Sequence, residues 1–293
     1  MVAQSALLEV KAFGRSVAAS PLRYPGGKAA LASLFGHIID GLKLQSARYV
    51  EPYAGGAGAG IVLLQKDAIQ ELVINDVDPA VYCFWRTVVD QPQELAAKIS
   101  DARLDVDEWR RQKEVYRAAD ESDPLALGFA FFYLNRTNRS GILNAGPIGG
   151  KDQVGTYKID ARFNREQLAN RISVIGELRA RIVVHSLDGM AVVKRYVAQP
   201  STFTYIDPPY VEMGGSLYLN AFTHRDHTEL ARQLDEQTTQ NWVVTYDPSD
   251  FIRLLYKNHN VREYKLNYSA HRTGKAHELF IASSPVARLL ETH

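Results

Sequence analysis

The chain has 293 residues, 46% of them hydrophobic and 23% charged, enough to bury one large core or a core with a smaller lobe. Its 34 Lys and Arg against 33 Asp and Glu leave a net charge of +1, which argues neither for nor against a nucleic-acid partner. The single cysteine, Cys83, excludes an internal disulfide framework, and nothing in the chain approaches the roughly 18 apolar residues of a membrane span or resembles a secretory leader, so a cytoplasmic protein is expected.

Short apolar runs that end in turn or polar residues predict strands over residues 48–52, 72–76, 181–186, 202–207 and 242–247. Helical patterns lie between several of them, at 61–64 behind a glycine run, at 81–88 behind Asp78-Pro79, and at 226–237 with Leu230, Ala231 and Leu234 on one face. Alternating strands and helices imply an α/β protein with a mostly parallel sheet covered on both faces. Residues 261–266 and 278–282 have no room between them for a crossover helix and are expected to form an antiparallel hairpin.

The alternation breaks over residues 91–168, where 109–116 and 125–134 read as helices and the rest as loop. This predicts a mainly helical lobe inserted into a catalytic domain made of residues 1–90 and 169–293. Residues 135–155 carry five glycines, which suits an exposed, shape-adapting loop. Six basic residues against two acidic ones fall within 135–165, and six against Glu263 within 251–277.

Two stretches carry the chemistry. The run Glu51-Pro52-Tyr53-Ala54-Gly55-Gly56-Ala57-Gly58-Ala59-Gly60 follows a strand and opens a helix, where missing side chains let a ligand lie against the backbone. Asp76 ends the next strand 21 residues after Gly55, near the spacing at which an acid reaches the ribose of a nucleoside ligand. The second stretch, Asp207-Pro208-Pro209-Tyr210, closes another strand. Its prolines cannot continue a ladder, so a carboxylate and a free carbonyl face one point, as two acceptors suited to an amino group, with a tyrosine face beside them for a planar base.

From about residue 21 to 283 the sequence resembles the Dam-type (alpha-group) family of N6-adenine-specific DNA methyltransferases. Pro21-Leu22-Arg23-Tyr24-Pro25-Gly26-Gly27-Lys28 resembles its N-terminal cofactor motif, residues 51–60 its glycine motif, Asp76 its ribose-binding acid, and residues 207–210 its catalytic tetrapeptide. Phe132-Tyr133-Leu134-Asn135-Arg136 and Lys275-Ala276-His277-Glu278-Leu279 add to the likeness. The resemblance implies a Rossmann-like, S-adenosylmethionine-dependent sheet with a target-recognition insert. S-adenosylmethionine would be held by Tyr24, Pro25, Gly26, Lys28, Glu51, Pro52, Gly55, Gly56, Gly58, Asp76 and Asp207, and Asp207, Pro208, Pro209 and Tyr210 would act on an adenine flipped out of duplex DNA.

The resemblance also assigns the DNA to Arg136, Asn138, Arg139, Ile142, Leu143, Asn144 and Lys275. Arg139 occupies the place of the family's wedging aromatic, so the wedge passes to Ile142 or Leu143, and Arg139 pairs with a guanine or a phosphate. No metal is expected, since His224 and His227 have no third ligand in register. The chain is expected to act as a monomer without an obligate protein partner. Competing readings are transfer to RNA adenine or to a protein amide, and a DNA-binding subunit without chemistry, against which the intact Asp207 and glycine run argue.

Overall fold

A computed structural model describes residues 20–23, 28–211, 222–266 and 276–291. After a 3-10 turn at Lys28–Leu31, helix α1 covers Ala32–Gly41, strand β1 Arg48–Glu51, α2 Gly58–Gln65, β2 Glu71–Asn75 and α3 Pro79–Asp90. Helices α4 (Pro92–Ser100), α5 (Val106–Ala118), α6 (Pro124–Thr137) and α7 (Arg165–Glu177) follow before β3 at Ile182–His185. The chain then runs through α8 (Gly189–Tyr196), β4 (Thr202–Ile206), α9 (His224–Asp235), β5 (Trp242–Tyr246), α10 (Asp250–Leu255), β6 (Asn260–Leu266), β7 (Ala276–Ala282) and α11 (Ser284–Glu291).

One seven-stranded sheet has the order β3-β2-β1-β4-β5-β7-β6. The first five strands pair in parallel, and β7 runs antiparallel to both β5 and β6. This is the expected Rossmann-like arrangement, with the expected hairpin ahead of α11. Every residue of β4 and β5 is buried, as helix cover on both faces demands of central parallel strands. All five expected strands form within a residue or two of their predicted ends.

Helix starts are set by side-chain caps. Asp78 accepts from the Ala80 amide at 2.8 Å with Pro79 in the first turn, Asp123 does the same for Ala126 ahead of α6, and Thr223 with Asp226 forms a capping box for α9. Between residues 91 and 168 the structure has one more helix than the sequence pattern showed. Helix α4 was hidden in an expected loop because only Pro92, Leu95 and Ile99 mark its buried face, and α7 continues past residue 168.

Helix α6 is buried on every side from Leu127 to Asn135 and lies against α3, where Phe84 and Phe132 stack at 5.8 Å. Leu95, Ile99, Trp109 and Phe129 therefore share one apolar core with Leu72 and Ile74 of the sheet. Among the described residues no helix is long and apolar enough to cross a membrane.

Candidate active site

The carboxyl ends of β1, β2 and β4 meet where the strand order reverses, the place at which open parallel sheets hold ligands. The glycine run leaves β1 there. Gly55 and Ala57 both have a φ of 45°, a left-handed turn that a glycine takes freely and Ala57 takes under strain. Asp76 fixes this turn, accepting from the Gly55 amide at 2.9 Å through Oδ2 and from the Asp78 amide at 3.0 Å through Oδ1. Burial, opposed by those amides, pushes its carboxyl up to about 6.

Gly60 is required for space. A Cβ on it would stand 2.5 Å from the Leu72 side chain and 3.1 Å from Glu51 Oε1, which accepts from the Gly60 amide at 3.0 Å. Burial pushes the Glu51 carboxyl up to about 8. Asn75, fully buried, ties the loops after β1 and β3 together, donating to the carbonyls of Pro52 and Leu187 and accepting from the Leu187 amide. Val77 and Leu187 stand exposed beside these loops, an apolar surface at a polar strand end.

Asp207 leaves β4 with a quarter of its side chain reaching the site opening, and Pro208 and Pro209 are buried behind it. Its Oδ1 accepts from Thr245 Oγ1 at 2.7 Å and from the Tyr210 hydroxyl at 3.3 Å. Thr245 is itself 2.7 Å from the buried Tyr205 hydroxyl. Burial raises the Asp207 carboxyl above its ordinary value; the Lys28 ammonium and the hydrogen bonds from Thr245 and Tyr210 oppose the rise and Glu278 adds to it. Lys28 Nζ lies 3.7 Å from Asp207, donates to the Tyr210 hydroxyl at 2.7 Å and pairs with Glu278 at 2.6 Å.

A left-handed glycine turn fixed by an acid at the next strand end, with the partly exposed Asp207 at the end of β4, lies at the place where open parallel sheets hold ligands. The profile of the D12 class N6 adenine-specific DNA methyltransferases matches residues 24–270. The chain belongs to that class.

Relatives of this D12 methyltransferase bear names that agree. A type II methyltransferase, M.MjaIII of Methanocaldococcus jannaschii, is 24% identical over 277 residues, covering 87% of this chain and 91% of that protein. M1.LlaDCHI of Lactococcus lactis subsp. cremoris, also a type II methyltransferase, is 23% identical over 82% of this chain and 85% of its own. The retron Ec67 DNA adenine methylase of Escherichia coli is 26% identical over 81% and 80%. The enzyme is an adenine-specific DNA methyltransferase.

Of the residues the sequence assigned to the site, the structure brings Lys28, the glycine run, Asp76 and residues 207–210 to one end of the sheet. Tyr24, Pro25, Gly26 and Lys275 lie outside the described residues. Sequence reasoning missed Asn75, Thr245, Tyr264 and any role for Glu278, because each sits in an apolar strand and gains a partner only through sheet order.

On the side of α6, Asn138 is not at the surface. It is fully buried, accepts from Trp109 Nε1 at 2.6 Å and donates to the carbonyls of Ile142 and Leu143, so it shapes the loop and has no donor left for a base. Leu143 packs partly on the main core, and Ile142 is half-buried. Arg139 and Asn144 are exposed. Asn135 exchanges hydrogen bonds with the Arg23 backbone at 2.7 and 2.8 Å, and Arg23 reaches the Asn138 carbonyl.

Arg136 donates to the Arg162 carbonyl, and burial together with Arg23, Arg171 and Arg162 lowers its guanidinium to about 9. Among the described residues none of these four arginines has a carboxylate within ion-pair distance. The most exposed apolar side chains of this lobe are Val154 and Tyr157. No group of three or more metal-ligating side chains occurs among the described residues.

Proposed function

We propose that the enzyme transfers a methyl group from S-adenosylmethionine to N6 of an adenine flipped out of duplex DNA, with residues 207–210 holding the amino group, as in the Dam-like branch of the class. The observation that carries this reading is the placement of Asp207: a partly exposed carboxylate just after β4, held by Thr245, on the strand next to the one that the glycine run leaves. The glycine run suits the cofactor because it leaves β1 in a left-handed turn that Asp76 holds through the Gly55 amide. Lys28, Glu51, Pro52, Gly55, Gly56, Gly58 and Asp76 would hold it, and when bound it supplies an activated methyl on a sulfonium.

The adenine N6 lone pair is delocalised into the ring, so it attacks only when drawn towards tetrahedral geometry. The Asp207 carboxylate and the Pro208 carbonyl, accepting its two N–H bonds, stabilise the positive charge that develops on nitrogen. Tyr210 offers its ring to the base, and its hydroxyl is already tied to Lys28. Much of the acceleration then comes from positioning.

For the DNA, Arg23, Arg136, Arg162 and Arg171 form a cationic cluster whose mutual repulsion is relieved by an anion, and the phosphodiester backbone supplies one. Arg139, Asn144 and Ile142 reach the bases from the adjoining loop, so recognition falls to the loop portion of residues 91–168. The protein would act as a cytoplasmic monomer. The test is transfer of tritiated methyl from S-adenosylmethionine to plasmid DNA, RNA or protein. Label in DNA, recovered as N6-methyladenine, is expected, and label in RNA or protein alone overturns the reading.

A further inference from the structure

Two carboxyl groups at this site share one ammonium. Lys28 Nζ is 2.6 Å from Glu278 Oε2 and 3.7 Å from Asp207 Oδ1, so it is hydrogen-bonded to the first and held off the second. Glu278 and Lys28 are 5% and 8% exposed, whereas Asp207 is 24% exposed. Glu278 is itself held by the Tyr264 hydroxyl, its direct cross-strand partner in the β6–β7 hairpin. A second donor on Lys28 is committed to the Tyr210 hydroxyl.

We propose that Glu278, steadied by Tyr264, is a positioning residue that draws Lys28 away from Asp207 and so leaves the catalytic carboxylate free to accept the adenine amino group. The inference rests on the role given to Asp207 above. An ammonium in a site this enclosed pairs with the nearest carboxylate. Without Glu278, Lys28 would close on Asp207 and occupy the acceptor that the amino group needs. The distances show that competition decided in favour of Glu278.

Removing the Glu278 charge has a signed consequence. Among the described residues the groups facing Asp207 are Lys28 and Tyr210, Glu278 and Tyr264 from the hairpin, Thr245 from β5, Tyr205 from β4, and Tyr49 and Glu51 from β1. Of these, Glu278 raises the Asp207 carboxyl and Lys28 lowers it. In E278Q one raising charge is gone and the lowering charge moves closer, so both changes act in the same direction. Asp207 ionises at lower pH and becomes a weaker, blocked acceptor.

The experiment is the pH profile of the single-turnover methylation rate in wild type, E278Q, Y264F and D207A, with S-adenosylmethionine affinity measured alongside. For E278Q a single-turnover rate at neutral pH and saturating S-adenosylmethionine about tenfold lower or more is expected. Its acid limb should move down by about half a unit or more, with E278D recovering part of the rate. Y264F should shift the same way by less, and decides alone if E278Q does not fold. An acid limb that stays in place or moves up in the folded variants overturns the positioning role. D207A separates the two layers: if it keeps about a tenth or more of wild-type turnover, the catalytic reading of Asp207 fails, whereas loss in D207A with an unmoved E278Q profile removes only the role of Glu278.

Discussion

Asp76 carries two backbone amides on its two oxygens, so its carboxylate is structural to the glycine turn before any ligand arrives. Asp76→Ala should weaken S-adenosylmethionine binding by about 1.5 to 3 kcal/mol, because charge-assisted bonds to the ribose and the acceptor for Gly55 disappear together. Asp76→Asn keeps an acceptor and loses the charge, so it should fall between. Isothermal calorimetry with equal affinities in all three proteins would reduce Asp76 to a strand-end cap. At this scale the sequence was informative where neighbours in the chain lie together, as in residues 207–210, which close β4 as expected. It was silent where partners meet only in space. Thr245 reads as one more β-branched strand residue, and its bond to Asp207 depends on β4 and β5 being adjacent. Asn138 was misread for the converse reason: a polar residue in a glycine-rich stretch has the same composition whether it faces solvent or, as here, holds the loop from inside.

At the level of elements, glycine 128 shows how context reverses an intrinsic preference. In an exposed helix interior Gly→Ala stabilises by about 1 kcal/mol. Here a Cβ would lie 2.8 Å from the Phe84 Cα and 2.9 Å from the Cys83 carbonyl, both backbone of α3. Gly128→Ala should therefore destabilise the protein by about 1 to 3 kcal/mol by forcing α6 off α3, a result readable from urea midpoints. An unchanged or higher midpoint would mean that the two helices pack less closely than described. The loop after α6 allows a second test. Arg139 is exposed and unencumbered by an ion pair among the described residues, so Arg139→Ala should cost about 1 to 3 kcal/mol and relax one position of the methylated motif if it reads a guanine. If it holds a phosphate, binding weakens on all sequences and the salt dependence flattens. Sequencing of DNA methylated by the variant distinguishes these outcomes. Strands were legible because five apolar runs of about five residues each ended in turn chemistry. Helix α4 was not, since three buried residues, the first a proline, on a nine-residue helix leave too little periodicity.

For the whole molecule, burial of ionisable groups gives stability a defined pH dependence. Glu51 is raised from 4.5 to about 8, so the fold favours its neutral form; that contribution is full below pH 4.5 and is lost as pH rises towards 8. His227, buried beside Phe222 and Phe251, is lowered by burial from 6.5 to about 4, so its contribution is full above pH 6.5 and is lost as pH falls towards 4. Between pH 8 and 6.5 only the first effect operates. The ligand-free protein should gain about 1 to 2 kcal/mol over that interval, and Glu51→Gln should flatten the gain. A thermal midpoint independent of pH from 8 to 6.5 would contradict the burial of an unpaired Glu51. The order of the sheet was partly legible too, since alternation specified a parallel sheet and the lack of a crossover specified the final hairpin, although β7 entering between β5 and β6 followed from no local signal. That late insertion has a consequence in time. Lys28 and Glu278 are 250 residues apart in the chain, and β5 has no neighbour on its outer side until residues 276–282 arrive. A polypeptide still emerging from the ribosome can carry the glycine turn, the loop after α6 and Asp207 and yet lack the strand that covers the outer side of β5 and pairs with the lysine. A copy lacking residues 276–282 would therefore keep the glycine turn and Asp207 and lose both the outer neighbour of β5 and Glu278.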